Sequence, residues 1–317
     1  MKKENPVIVF LAFAAIYIIW GTTYLAILFG LEGFPPFLLS AFRFAIAGLI
    51  LLIWCLIRGE RLPALRDYKV PVISGIVMLV GGTGLVAWSE QYVTSGQAAI
   101  MIAGEPFLFL LLDKKRWPFY FSGKRVLLGL LIGFSGIVCF FLFAAHQAGK
   151  EVAPFWKAIG YAVLFFSGVL WAGGSLYSKN RTPSHLSNTL TTAVQLTAAG
   201  LFSALLSGAM GEWTHFSFAA VSVNAWLGLL YLMVFGSVIA YLAFTWLLSI
   251  RPPAIVSTHT YINPIVAVVV GWLMAHEPIT HLQVGALFLI LLGVMLVNKK
   301  SEISKKVAIP KPVVATT

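Results

Sequence analysis

Long apolar runs recur along the whole chain and are separated by short polar segments. Each run is long enough to cross a bilayer, which takes about 20 residues in a helix. The runs are continuous rather than alternating with a period of two, and this pattern favours helices over a β-barrel. The sequence therefore predicts an all-α membrane protein with ten transmembrane helices. They are predicted at about 6–30, 37–57, 70–90, 93–112, 125–143, 156–178, 185–206, 224–248, 252–275 and 281–298.

The composition agrees with this prediction. Of the 317 residues, 59% are hydrophobic and 10% are charged, and the mean hydropathy is +0.90. These values exclude an ordinary soluble domain. The first apolar run follows Lys2 and Lys3, but it is too long for a signal peptide and no small-residue cleavage site follows it. We expect it to be a retained helix.

The net charge of +11 would suggest a nucleic-acid partner in a soluble chain, but its distribution indicates membrane orientation instead. If the N-terminus is inside, almost all of the 22 Lys and Arg residues lie in cytoplasmic segments. The exceptions are Lys150 and Lys157 outside and Arg43 within a span. This asymmetry follows the positive-inside rule, so both termini are predicted to be cytoplasmic and no nucleic-acid partner is expected.

The chain also repeats itself at a nearly constant separation. The matched positions are Trp20 and Trp171, Arg43 and Gln195, Trp88 and Trp246, Glu105-Pro106 and Asn263-Pro264, and Gly129 and Gly285. Each half holds five predicted helices, an odd number, so the second half enters the bilayer from the opposite side and the repeats are inverted. The predicted units are a first repeat at 1–143, a linker at 144–155, a second repeat at 156–298 and a disordered cytoplasmic tail at 299–317.

Proline lies at matched depth in the fourth and ninth predicted helices, at Pro106 and Pro264. Each proline removes one backbone donor and frees one carbonyl. In a bilayer the freed groups need a protein partner or a water-lined cavity. We therefore expect both prolines to act as hinges beside a central cavity, although a packing kink would explain either one alone.

Several motifs carry a family resemblance. They are Tyr17-Ile-Ile-Trp-Gly-Thr-Thr-Tyr in the first span, Ala41-Phe-Arg-Phe-Ala-Ile-Ala-Gly in the second, Tyr261-Ile-Asn-Pro-Ile-Val-Ala-Val-Val-Val-Gly in the ninth, and His276-Glu-Pro-Ile-Thr with Gly285 and Gly293 after it. Over about residues 8–298, the chain resembles the EamA family of the drug/metabolite transporter superfamily, in particular its YedA-like subgroup.

This resemblance implies a ten-helix inverted-repeat carrier in a bacterial inner membrane, usually an exporter of amino acids, metabolites or small toxic compounds. It also implies a cavity lined by spans 1, 3, 4, 6, 8 and 9. The chain departs from the family after span 4, where a turn containing Gly-Glu is usual. Here that segment begins Asp113-Lys-Lys-Arg-Trp-Pro.

Arg43 and Glu105 are the two charges well inside predicted spans, and charge inside a bilayer is costly. One interpretation is a buried or snorkelling pair that fixes the helices. The other is that Glu105 is a protonatable carboxylate in the cavity, coupling proton movement to substrate, because burial favours its neutral form. His259 lies one helical turn before Asn263, so the two can share a face. It is either hydrogen-bonded structure or a proton relay.

The remaining cavity candidates are aromatic or small polar residues of the repeat motifs or near the prolines, and helix packing would explain any one of them equally well. The full set of predicted cavity residues is Trp20, Thr23, Tyr24, Trp88, Trp171, Ser175, Tyr241, Trp246, His259, Tyr261 and Asn263. The segment from His276 to His281 is one residue too long for a zinc-binding His-Glu-x-x-His motif and contains a proline. No metal site, cofactor or catalytic residue is predicted.

The favoured function is secondary active transport. We expect export of amino acids or similar small metabolites or toxic compounds by alternating access, driven by proton coupling or exchange. The expected partners are a small-molecule substrate, protons and the lipid bilayer, and the protein is expected to be a monomer or weak dimer. An exchanger or importer of a phosphorylated or sugar-type solute would need several cavity cations, and only Arg43 qualifies. A membrane-embedded enzyme would need clustered His and carboxylates, and an assembly subunit would not explain inverted halves.

Overall fold

The computed structural model describes residues 5–60, 62, 64–120, 124–144, 152–214, 216–251 and 253–303, and these residues form helices and connecting turns without a β-strand. The longer helices are α1 (Pro6–Gly30), α2 (Pro36–Ile57), α3 (Leu65–Ser89), α4 (Ser95–Leu112), α5 (Lys124–Ala144), α6 (Pro154–Arg181), α7 (Asn188–Ala209), α8 (Val223–Ile250), α9 (His259–Ala275) and α10 (His281–Ile303). Short helices at Trp117–Tyr120 and Pro253–Val256 precede α5 and α9. Most of the predicted linker and tail lies outside the described residues.

Within the described residues, seven helices are long and apolar enough to cross a bilayer, namely α1, α2, α3, α4, α6, α7 and α8. Shorter apolar segments lie in α5, α9 and α10, at Arg125–Cys139, His259–Ala275 and His281–Gly293. The outer surface of these helices is apolar, and Leu201 and Leu205 of α7, for example, are 61% and 73% exposed. Such a surface is suited to lipid rather than water.

Two of the helices contain π-helical segments, over Ile76–Gly84 in α3 and Leu232–Tyr241 in α8. A π segment inserts an extra residue into a turn, and such insertions are frequent at functional sites. Apolar periodicity does not reveal them, so the sequence predicts two ordinary helices at these places.

The helix α4 is interrupted in its middle. Its first half, Ser95–Ile102, ends at a turn formed by Ala103 and Gly104, and a new helical segment begins at Glu105. Pro106 lies in the first turn of that segment. Backbone N–H groups of a first turn have no intrahelical partner, so a proline there breaks no hydrogen bond of the helix. Pro106 therefore starts a helix rather than kinking one.

Pro264 is placed differently from Pro106. It lies inside α9, and the nearest interruption of the helix is the turn at 257–258, before α9 begins. The two prolines that the sequence predicts as hinges therefore occupy different positions: Pro106 lies at the start of a helical segment, and Pro264 lies inside a helix.

The helices α2 and α7 cross at glycines. A Cβ on Gly48 would lie 2.5 Å from the backbone nitrogen of Thr197, and a Cβ on Gly200 would lie 2.3 Å from the backbone nitrogen of Ala45. The two contacts are reciprocal, because Gly48 and Gly200, like Ala45 and Thr197, are 152 positions apart. Small residues permit this close backbone approach between membrane helices.

The helices α5 and α10 make a second crossing of the same kind. A Cβ on Gly293 would lie 2.5 Å from the backbone oxygen of Gly129 and 2.5 Å from the backbone nitrogen of Gly133. On the other side of the crossing, a Cβ on Gly136 would lie 2.9 Å from Cβ of Leu289. Glycine therefore sets the separation of this helix pair as well.

A carboxylate from the end of α7 caps the start of α2. Glu212 follows Gly211, whose φ of +71° turns the chain after the helix. Its carboxylate oxygens accept hydrogen bonds from the backbone nitrogens of Phe37 and Leu38, at 3.2 and 2.8 Å. These are two of the N–H groups that a helix start leaves without an intrahelical partner.

At the opposite end of the same pair, a carboxylate binds the N-cap residue of α7. Glu60 follows Gly59, whose φ is +73°. It accepts a hydrogen bond of 2.5 Å from the hydroxyl of Ser187, the N-cap residue of α7. A carboxylate that follows each helix therefore binds the start of the other helix.

The glycine crossing of α2 and α7 can be tested by a matched pair of substitutions in α7. We expect Gly200→Ala to lower the free energy of unfolding by roughly 1–3 kcal/mol, because its Cβ would overlap the backbone of Ala45. Gly208→Ala should cause no loss, since no described atom lies within 4 Å of its added Cβ. Thermal unfolding of purified protein in detergent measures both. Equal midpoints for the two variants would contradict the crossing.

Candidate functional site

A cavity of about 80 Å³ lies between α1, α2, α3, α4, α6, α8 and α9. The resemblance implied the same set of helices without α2, which contributes Arg43. Nine of the predicted residues line the cavity: Trp20, Thr23, Tyr24, Arg43, Glu105, Trp171, Tyr241, His259 and Asn263. Sequence reasoning missed the contribution of the π segments, which add Leu79, Gly82 and Thr83 from α3 and Gly236 and Ser237 from α8.

Six predicted residues are not among those lining this cavity: Trp88, Ser175, Trp246, Tyr261, Pro106 and Pro264. Trp88 and Trp246 pack against an apolar cluster that includes Ile16 and Phe44. Trp88 also lies with its ring centroid 4.9 Å from that of Tyr92.

Aromatic rings form one wall of the cavity. The centroids of Trp20 and Trp171, two matched residues, lie 5.4 Å apart in an edge-to-face arrangement. Phe244 packs against both, at 5.0 and 5.2 Å. The indole nitrogen of Trp20 donates to the backbone oxygen of Gly236 at 3.2 Å. The wall therefore consists mainly of apolar ring surface, and the hydrogen bond from Trp20 connects it to the π segment of α8.

Asn263 holds the ring of His259 in one orientation. The amide nitrogen of Asn263 donates to the backbone oxygens of His259 and Tyr17, both at 2.9 Å, and of Ile16 at 3.2 Å. Its amide oxygen then accepts from Nδ1 of His259 at 3.1 Å. With the proton on Nδ1, the neutral ring presents Nε2 as a hydrogen-bond acceptor. Among the described residues, this Nε2 has no hydrogen-bond partner.

Arg43 is buried and connects α2 to the π segment of α8. Its Nε donates to the hydroxyl of Ser237 at 2.8 Å, and its guanidinium lies 4.9 Å from the ring centroid of Phe44. Ser237 in turn donates to the backbone oxygen of Leu232 at 3.0 Å. A Cβ on Gly236 would lie 3.0 Å from Nη2 of Arg43, so glycine at this position leaves room for the guanidinium.

Gln195, which is matched to Arg43, makes a related contact with α3. Its amide nitrogen donates to the hydroxyl of Ser74 at 2.9 Å, and its amide oxygen accepts from the hydroxyl of Tyr241 at 2.8 Å. The two matched side chains therefore bind the two helices that contain π segments. Of these two matched side chains, Arg43 is charged and lines the cavity, whereas Gln195 is neutral.

Glu105 begins the second half of α4 and is 4% exposed. In the part of the chain that the structure describes, its Oε1 has no hydrogen-bond partner. The indole nitrogen of Trp171 also lacks one there. Together with Nε2 of His259, these buried atoms are one donor and two acceptors of cavity-lining residues that have no partner among the described residues.

The size of the cavity limits what this conformation can hold. A water molecule occupies about 30 Å³ of liquid volume, whereas pockets for small organic ligands are typically about 300–1,000 Å³. A cavity of about 80 Å³ therefore admits a few water molecules. The cavity is therefore smaller than a typical pocket for such a ligand. No group of three or more His, Cys, Asp or Glu suited to a metal ion occurs within the described residues.

Comparison with known proteins identifies the family. The EamA-like transporter family matches the chain twice, at residues 7–142 and 158–299. The chain is 33% identical over 317 residues to the "Uncharacterized inner membrane transporter YedA" of Escherichia coli (strain K12), covering 99% of this chain and 97% of that protein. It is 28% identical over 313 residues to the "Uncharacterized transporter YvbV" of Bacillus subtilis (strain 168), covering 98% and 97% of the two chains.

A crystal structure of a protein aligns with a TM-score of 0.65 at 20% sequence identity, covering 95% of this chain and 100% of that chain. This likeness supports the fold alone. The family resemblance predicted from the motifs is confirmed. With its membrane-length apolar helices, the protein is a multi-pass protein of the bacterial inner membrane. The chain belongs to the EamA-like transporter family, among the drug/metabolite transporters, and is a membrane transporter.

Proposed function

We propose that the protein is a secondary active transporter that works by alternating access. Two inverted five-helix repeats, ten spans in all with both termini cytoplasmic, would rock about the central cavity. The observation that carries the proposal is the position of the cavity between matched residues of the two halves. Trp20 and Trp171 meet there at 5.4 Å.

Three further observations support the repeat. The family matches the two halves separately. The matched pairs α2 and α7, and α5 and α10, contact each other through glycines. The π segments fall at corresponding places in α3 and α8. An odd number of spans per half then makes the repeats inverted.

For the solute, we propose an amino acid or a similar small metabolite or toxic compound, moved outward. The cavity offers one cation, Arg43, one carboxyl group, Glu105, and an aromatic wall. These groups suit a small solute that carries both charge and apolar surface. A phosphorylated solute would be better matched by several cations. Among the described lining residues, Arg43 is the only Lys or Arg.

For the coupling, we propose that Glu105 exchanges a proton as the cavity opens and closes. A carboxylate without water or a counter-charge is costly in a bilayer. Closure therefore favours the protonated form of Glu105, and hydration of an open cavity favours release of the proton. A cationic group of the solute would replace this proton on Glu105, so that the loaded carrier closes without the proton and the empty carrier closes with it. Each solute moved outward is then exchanged for one proton moved inward. The alternative is solute exchange without proton movement, and the Glu105→Gln variant distinguishes it from proton coupling.

We expect Glu105→Gln to abolish accumulation driven by a proton gradient, while solute exchange without a gradient persists, because glutamine keeps the shape but cannot titrate. The measurement is uptake and counterflow in reconstituted vesicles, over a panel of amino acids and small organic cations. Glu32→Gln, an exposed carboxylate between α1 and α2, is the matched control. An unchanged pH dependence in Glu105→Gln would remove Glu105 from coupling. If no solute of the panel moves under any gradient, the carrier proposal itself fails.

We expect His259→Phe to raise the apparent KM about threefold to tenfold for whichever solute of the panel is transported. Phenylalanine keeps a ring against Trp20 but removes the Nε2 acceptor, and such a hydrogen bond is worth roughly 0.5–1.5 kcal/mol. His281→Phe, the same substitution at an exposed position of α10, should leave KM unchanged. The same KM in both variants would mean that His259 does not contact the solute.

A further inference from the structure

A carboxylate joins the end of α9 to the start of α4. Glu277 accepts a hydrogen bond from the backbone nitrogen of Ser95 at 2.8 Å, from the Ser95 hydroxyl at 2.9 Å and from the backbone nitrogen of Gly96 at 3.1 Å. Hydrogen bonds to a charged acceptor are stronger than neutral ones, and the start of a helix favours negative charge. The contact is therefore a strong local connection between two helices that both line the cavity.

The end of α9 is shaped for this contact. His276 adopts a left-handed conformation with φ of +53°, and this turns the chain back so that Glu277 faces α4. The backbone nitrogen of Glu277 donates to the backbone oxygen of Gly271 at 3.1 Å. A Cβ on Gly271 would lie 2.7 Å from Oε2 of Glu277 and 3.0 Å from the hydroxyl of Ser95. Only glycine at 271 leaves room for the carboxylate.

At Gly96, the pair α4 and α9 lacks the close backbone contact that joins α2 and α7. At Gly96, the nearest atom of α9 to an added Cβ is a side-chain carbon of Val268, at 3.2 Å, whereas α2 and α7 meet backbone to backbone. The α4 helix is also interrupted at Ala103–Gly104, and α9 follows a turn at 257–258. The ends of this pair can therefore separate without opening a backbone crossing.

We propose that Glu277 is a latch. When it is bound to Ser95 and Gly96, it closes the end of the cavity between the start of α4 and the end of α9. When it is released, that end opens. The inference requires that the chain is a membrane transporter, which the family shows, but it does not depend on the solute, on the direction of transport or on Glu105.

The latch is tested by the accessibility of Thr83, a cavity-lining residue of the π segment in α3. Thr83→Cys is introduced after Cys55 and Cys139 are replaced by alanine, and a membrane-impermeant maleimide is added to one face of sealed vesicles. A separate Ile279→Cys variant, exposed next to the latch, identifies the face on which Glu277 lies. From that face, Glu277→Ala should raise the labelling rate at Thr83→Cys about tenfold, as expected for loss of charge-assisted hydrogen bonds.

Two further variants separate a latch from general loosening. Gly271→Ala keeps the carboxylate but displaces it from Ser95, so it should also raise labelling. Glu212→Ala removes the comparable cap on α2, and it should lower the thermal midpoint without raising labelling at Thr83→Cys. Unchanged labelling in both Glu277→Ala and Gly271→Ala, with monodisperse protein, would overturn the proposal. An equal rise in Glu212→Ala would overturn it too.

Discussion

The backbone contact between α2 and α7 at Gly48 and Gly200 sets the distance between these two helices. The contacts that their polar side chains make beside the cavity depend on this distance. It places Arg43 on one helix and Gln195 on the other within reach of α8 and α3. Glu212, which follows α7, caps the start of α2, and Glu60, which follows α2, binds the N-cap serine of α7, so the pair is held at both ends as well as in the middle. Because lipid offers no hydrophobic force between helices, such close contacts and hydrogen bonds supply the association.

Outside the cavity, most of the polar groups discussed above have partners, as a bilayer demands. At the cavity, Glu105, His259 and Trp171 each carry a buried polar atom with no partner among the described residues. Glu105 lies at the interruption of α4, and His259 and Trp171 line the same cavity as the two π segments. Local rules of helix formation are broken where the two halves meet, and departures from such rules concentrate at functional sites.

The sequence could predict the helices, the family and nine cavity residues, because apolar runs and matched motifs are local signals. It could not predict that Trp88 and Trp246 face an apolar cluster, since matched positions do not determine which way a side chain points. The π segments leave no mark in apolar periodicity. The pairs Gly59-Glu60 and Gly211-Glu212 did have a signal, because their separation equals that of Arg43 and Gln195. The contact of Glu277 with Ser95 joins distant parts of the chain, and only tertiary structure shows it.

Alternating access around one cavity is the central claim, and the accessibility of one cavity position from both faces of the membrane tests it most directly. Ile102, at the end of the first half of α4, lines the cavity and can be replaced by cysteine in the protein without Cys55 and Cys139. An impermeant thiol reagent should label this position from either face when it is added to one face at a time, and a transported solute should slow both reactions. Labelling from one face only, with or without solute, would contradict alternating access.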